Sequence, residues 1–202
     1  MEKNDGVCIS REKQRCGWVT SDTLYREYHD REWGVPLYDD DLLFEFLILE
    51  GLQAGLSWIT ILKRREFYRE ALDGFCAAKI AVYNTEKMLQ LMSDPRLIRN
   101  SLKMTAIVKN AKAFLAVQQE TGSFSKFIWQ FIGGQPKQNC WSSLQEVPAE
   151  SPESKAMSKA LKKRGFSFVG PTICYAYMQA VGMVNDHVIH CYRHSELIEK
   201  QL

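Results

Sequence analysis

The chain is sparing with the residues that metal- or disulfide-built domains depend on. Four histidines and six cysteines are spread over 202 residues, and a chain this long can build a core without a disulfide framework. The cysteines, at 8, 16, 76, 140, 174 and 191, are therefore read as reduced thiols of an intracellular protein. Long hydrophobic runs are missing: the most apolar stretch, LLFEFLILEGL, is short and carries two glutamates, so no segment is expected to span a membrane. The charged start MEKND has no apolar stretch behind it, so no signal peptide is expected and the protein is assigned to the cytoplasm. An excess of charge is also missing, with 26 Lys and Arg against 24 Asp and Glu, a net +2. The bulk charge therefore demands no nucleic-acid partner, and any basic surface must be a local patch. Convincing period-2 alternation, internal repeats and low-complexity tracts are absent too, which leaves helix as the dominant element.

What is present fits that reading. At 46% hydrophobic and 25% charged, the chain can bury a core as one globular domain, in one or two lobes. A helix is predicted over 39–50, opened by three aspartates and ended at Gly51. A second covers 101–119, with Met104, Ile107, Val108, Ala111 and Leu115 at helical spacing. A third starts at Ser151-Pro152, runs to the basic turn Lys162-Lys163-Arg164 and stops at Gly165. A fourth starts at Pro171-Thr172 and reaches about Gly182. The segment 133–150, with two glycines and two prolines, reads as a loop or lobe boundary. Residues 1–13 read as an N-terminal extension, 14–191 as the domain and 192–202 as a C-terminal tail.

Three groups of residues carry chemistry. Cys16 and His29 near one end, and His187 and Cys191 near the other, are halves of a site with the ligand types that zinc favours. His187 and Cys191 are four apart, which on a helix puts them on one face. His190 and His194 form a second pair of the same spacing, and spacing alone does not choose between them. Each of these residues is also ordinary as a buried thiol or a satisfied imidazole. In the second group, Glu50 follows Leu43, Phe46 and Leu47 by seven, four and three residues, on the apolar stripe of its helix. A carboxylate there is either paired or raised in pKa, and so a functional candidate. The plainer reading is a cap on a local backbone donor. Trp18, Tyr25, Tyr28, Trp33 and Trp58 crowd the same third of the chain. Aromatic faces beside a carboxylate suit a flat cation, although such residues are also common core. In the third group, KKRGFSFVGPTICY is a helix, a glycine turn and a new helix, where backbone N–H groups can hold a phosphate. A plain connector has the same pattern.

The segments RCGWV at 15–19, YHDREWGVP at 28–36, LEGLQAGLSWITILKRRE at 49–66, SKALKKRGFSFVGPTICYAYMQA at 158–180 and VNDHV at 184–188 together resemble the bacterial 3-methyladenine DNA glycosylase I family, the Tag-type enzymes of the helix-hairpin-helix superfamily. The resemblance spans roughly residues 14–191 and implies an all-α helix-hairpin-helix glycosylase fold whose ends are joined by a structural zinc. By position its ligands are Cys16, His29, His187 and Cys191. The implied activity is excision of 3-methyladenine from alkylated double-stranded DNA by a monofunctional N-glycosyl hydrolase that leaves an abasic site. Glu50 matches the glutamate that contacts the flipped base. Tyr28 and Trp58 match stacking and pocket residues, with Trp18 and Tyr25 nearby. Gly170 and Thr172 of the hairpin, with Lys162 and Lys163 beside them, would hold the DNA backbone, and Leu56 would fill the gap left by the flipped base.

Many enzymes of that superfamily carry an aspartate after the second hairpin helix. In VNDHV, Asn185 falls at about that place, so Asp186 is expected to be a helix cap and not catalytic. With only Cys191 near the end, no iron–sulfur cluster is expected, and the protein is expected to act as a monomer. Two alternatives are a glycosylase of broader alkylpurine range and a catalytically silent, zinc-containing lesion binder. A zinc-stapled interaction module is a third.

Overall fold

A computed structural model describes residues 13–199, so the expected extension at 1–13 lies, apart from Lys13, outside the described residues. The described chain is mostly helical: α1 (Thr23–Arg31), α2 (Asp40–Gln53), α3 (Trp58–Leu62), α4 (Arg65–Ala71), α5 (Ala77–Ile80), α6 (Thr85–Ser93), α7 (Ser101–Thr121), α8 (Phe124–Trp129), α9 (Pro152–Lys163), α10 (Pro171–Ala180) and α11 (Tyr192–Glu199). No helix among the described residues is long and apolar enough to cross a membrane.

Local chemistry explains the starts and stops. The Asp39 carboxylate accepts from Leu42 N–H at 2.9 Å and so caps α2, as the run of aspartates predicts. Asn100 caps α7 in the same way, and Gly122 ends it in the left-handed region. Ser151 and Ser154 form a reciprocal capping box at the start of α9, with Pro152 at its first position,.

Helix α2 lies at the centre, against α7, α8 and α10. Every residue from Leu43 to Leu52 is buried, so this helix has no wet face along that stretch. The rings of Phe44, Phe114 and Phe124 pack in sequence with centroids 4.7 Å apart and planes tilted by 47°, joining α2, α7 and α8. Asp40, in the first turn of α2, accepts from the N–H groups of Phe124 and Ser125, each at 2.7 Å, and thereby caps α8 as well. The predicted stop at Gly51 is overrun by two residues. Gly51 sits inside the helix because Phe168 packs on it, 3.4 Å from where a Cβ would stand.

The stretch 133–150 is more than a connector. It holds a two-residue strand, β1 (Lys137–Gln138), which pairs in parallel with β2 (Val184–Asn185). Strands this short carry no readable alternation. The segment set apart as a C-terminal tail is helical over Tyr192–Glu199, and Leu197 is buried in the core. Beyond α10, Gly182 has φ +69°, and a Cβ there would stand 2.3 Å from the backbone of Val35. Only glycine allows that contact, which seats the end of α10 on the segment after α1.

Candidate functional site

A cavity of about 340 Å³ opens between α1, α2, α3, α10 and the loop that follows β1. Trp18, Tyr25, Tyr28, Trp33 and Trp58 form its aromatic walls, with Glu50 and Gln53 from α2, Leu144, Val147 and Pro148 from the loop, and Ala176, Gln179 and Asp186 completing it. The structure thus brings together all five residues expected at a base site: Glu50, Tyr28, Trp58, Trp18 and Tyr25. The rings of Tyr28 and Trp58 lie 5.4 Å apart at 46°, and those of Trp18 and Tyr25 lie 4.9 Å apart.

Glu50 is 3% exposed. Its Oε2 has no hydrogen-bond partner among the described residues, nor has the indole N–H of Trp58. Burial pushes the Glu50 carboxyl up to about 8, because removing a charge from water favours the neutral form. The capping reading of Glu50 therefore fails, since no backbone donor reaches it. The stripe argument placed Glu50 away from solvent for a wrong reason, because α2 is buried all round at this level. Burial and the nearby Glu50 also raise the phenol of Tyr28 well above its usual range.

Asp186 corrects an expectation. It is not a helix cap: its carboxylate accepts from Asn139 Nδ2 and Trp141 Nε1 at 2.7 Å each, and from Tyr175 Oη and Gln179 Nε2 at 2.8 Å each. Asn185 is turned away from that network, donating to Gln138 and to the carbonyl of His194. Sequence reasoning also left Gln53 and Gln179 out of the site. Gln53 carried a usable signal, lying three residues after Glu50 and so on the same helix face.

Cys16, His29, His187 and Cys191 converge with all their ligand atoms within 4.8 Å of one another, and all four are buried. His187 Nδ1 is 3.5 Å from the sulfur of Cys16 and from that of Cys191, and His29 Nε2 is 3.4 Å from Cys191 Sγ. Donors bound at zinc-like lengths to a tetrahedral centre stand about 3.3–3.8 Å apart, and these three separations match that spacing. Their outer partners fit as well. His29 Nδ1 lies 2.8 Å from Asp30 Oδ1, and His187 Nε2 lies 3.0 Å from the Trp33 carbonyl. Burial opposes charge on Asp30, yet hydrogen bonds from Arg15 and His29 outweigh it and hold the carboxyl well below its usual range. Burial lowers His187, which favours the neutral ligand form. The hydrogen bond from the Cys16 thiol drives Cys191 down towards thiolate, while Cys16 rises. His187 and Cys191 do not share a helix. They meet across a turn in which Cys191 N–H donates to Val188 C=O at 2.8 Å, and α11 begins only afterwards. His194 is bonded instead to the carbonyl of Asn139.

The remaining expected residues lie outside the cavity walls. Lys162, Lys163 and Thr172 are exposed around the turn between α9 and α10, where Gly170 is the N-cap of α10. That turn is closed by Ser158 Oγ–H donating to Val169 C=O at 2.6 Å. A reciprocal pair of bonds between Asn110 and the backbone of Ser167 fastens it to α7. Leu56, 39% exposed, stands on the short loop between α2 and α3. Lys103 fixes that loop, its ammonium donating to the carbonyls of Leu52 and Ala54 at 2.7 and 2.6 Å.

Comparison with known proteins matches residues 18–194 to the family described as methyladenine glycosylase. The chain is 51% identical to the DNA-3-methyladenine glycosylase 1 of Escherichia coli K12 over 88% of its own length and 95% of that protein's. It superposes on a crystal structure of 3-methyladenine DNA glycosylase I with a TM-score of 0.87 at 51% identity, covering 89% of this chain and 98% of the other. A tyrosine-to-phenylalanine variant of 3-methyladenine DNA glycosylase I in complex with 3-methyladenine gives 0.86 at 37% identity, over 88% and 96%.

Proposed function

This chain belongs to the methyladenine glycosylase family, and from that premise we propose that it excises 3-methyladenine from alkylated double-stranded DNA, hydrolysing the N-glycosidic bond to leave an abasic site. The observation that carries the reading is the buried, partnerless oxygen of Glu50 in a cavity walled by aromatic rings. A base methylated at N3 is cationic while attached to its sugar. It is therefore already a good leaving group and needs no proton from the enzyme. Aromatic faces stack on the flipped base. Glu50, largely protonated in the empty cavity near neutral pH, gives up its proton as the cation enters and becomes the matching anion. The free N–H of Trp58 offers a donor in the same cavity. An unmethylated adenine brings no positive charge and leaves Glu50 buried without compensation, which is a physical basis for discrimination.

The remaining roles follow from the same reading. Cys16, His29, His187 and Cys191 would hold a zinc ion. With four protein ligands it would be closed to substrate and would tie the N-terminal segment to the C-terminal one. Helix α9, its turn and α10 act as a helix-hairpin-helix that grips the DNA backbone through Lys162, Lys163, Thr172 and the N–H groups following Gly170. Leu56 enters the gap left by the flipped base.

The test is incubation with methylated DNA and identification of the bases released. Free 3-methyladenine with little 7-methylguanine is the expected result. Release of both bases favours the broader-range reading, and release of neither by the folded protein, beside an active control, favours the silent lesion binder. Metal analysis of the purified protein is expected to find about one zinc per chain, and a Cys16→Ser variant to lose it together with thermal stability.

A further inference from the structure

Asp186 is 1% exposed, and each of its oxygens accepts two hydrogen bonds. Both oxygens act only as acceptors, and the four bonds use the lone-pair sites of the carboxylate. Two donors, Asn139 and Trp141, come from the segment after β1. The other two, Tyr175 and Gln179, come from α10. The same two elements build facing parts of the cavity: Leu144, Val147 and Pro148 continue the first, and Ala176 and Gln179 belong to the second. Other bonds of the segment at 137–141 go to the stretch beyond α10: β1 pairs with β2, Ile189 N–H donates to the Trp141 carbonyl, and His194 Nε2 lies 2.8 Å from the Asn139 carbonyl.

We propose that Asp186 is a positioning residue for the base site. Its carboxylate clamps the loop at 139–148 to α10 and thereby sets the width of the slot between the aromatic wall and the loop. The inference rests on the reading of this cavity as the base site. A clamp of this kind acts on affinity through cavity shape, whereas a merely structural bond set would act on stability alone.

Trp141→Phe gives the cleanest test. Trp141 is not part of the cavity wall, and phenylalanine keeps most of its bulk while deleting one bond of the clamp. Asp186→Asn is the second variant: it removes the charge while rotation of the Gln179 amide and the Tyr175 hydroxyl lets most of the bonds re-form. Calorimetric titration of the full-length, metal-loaded proteins with free 3-methyladenine is the measurement, with melting temperature and zinc content recorded alongside. Trp141→Phe is expected to weaken binding about tenfold, the scale of one lost hydrogen bond, and Asp186→Asn, in which most of the bonds re-form, less, both with wild-type metal content. Affinity within twofold of wild type in folded Trp141→Phe, even with a lower melting temperature, overturns the proposal and leaves Asp186 a stabiliser only. Failure of the wild-type protein to bind the base, or binding that survives Trp58→Ala undiminished, overturns the reading of the cavity itself, and the proposal with it.

Discussion

Two glutamates lie five residues apart on α2, both 3% exposed, and they are treated oppositely. One oxygen of Glu45 receives Arg65 Nε at 2.6 Å and Arg69 Nη2 at 2.7 Å, and Arg65 reaches on to Glu32. Glu50 faces a cavity and its Oε2 has no partner. A buried charge with its counter-charges beside it belongs to the fold. A buried carboxyl left unpaired costs stability, and the cost makes sense when a cation arrives from outside. The same helix therefore carries a paired acid near its middle and, near its C-terminal end, an acid whose Oε2 is unpaired.

That comparison breaks first if the two acids respond alike to the same substitution. Glu45→Gln should cost about 3 kcal/mol of stability, the low end for breaking a buried pair, because Arg65 keeps Glu32. In thermal unfolding that is a fall of about 6–12 °C. Excision by the protein that remains folded should be close to wild type. A stable Glu45→Gln with lost activity would reverse the assignment.

Glu50→Gln should do the opposite. The lost negative charge should lower kcat/KM on 3-methyladenine DNA about a hundredfold, roughly 2.7 kcal/mol, the scale for removing one oriented electrostatic group from a water-excluded site. Melting temperature near neutral pH should stay level or rise, because the acid must take up a proton to be buried and the amide need not,. Full activity in this variant would remove Glu50 from the chemistry.

Trp58 sharpens the same contrast. Trp58→Ala should weaken binding of a 3-methyladenine duplex by about 1–3 kcal/mol, the value of one base-stacking aromatic. Trp58→Phe should lose less, because it keeps a ring and gives up only the unpaired N–H. Equal losses in the two variants would mean that the N–H matters and the stacking does not.

The sequence made part of this legible and hid the rest for physical reasons. The four ligand residues were readable as two halves, yet the helical spacing offered for His187 and Cys191 was wrong: a turn before α11 makes the same juxtaposition. Glu50 stood out because of its apolar neighbours, but Glu45 is just as buried. What separates them is Arg65 and Arg69, which come from α4, twenty and twenty-four residues away. No periodicity within α2 carries that information. Asp186 was misread as a cap because its four donors lie on two other segments. Four helices, α2, α7, α9 and α10, were visible in their capping residues and periodicity, whereas the two-residue strands were too short to leave a pattern,.

The smallest effect per unit of perturbation is the pH dependence, and it tests the unpaired state of Glu50 directly. Its carboxyl is raised by burial from an ordinary 4.5 to about 8 in the folded protein. Between those values the folded state holds a proton that the unfolded chain has lost. The contribution of this group is therefore full below about pH 4.5 and is lost as pH rises towards 8, at up to about 1.4 kcal/mol per pH unit, with no further change above that. Urea unfolding at successive pH values should show Glu50→Gln gaining on the wild type by that slope, and the gain should stop near pH 8. Parallel curves would mean that Glu50 titrates as if in water and that its burial has no electrostatic consequence. Binding of a cationic base runs against this trend, because it takes up the ionised form. Over the same interval in which the empty protein loses stability, the wild type should gain affinity for the cation and release a proton on binding, whereas the Gln variant should show neither.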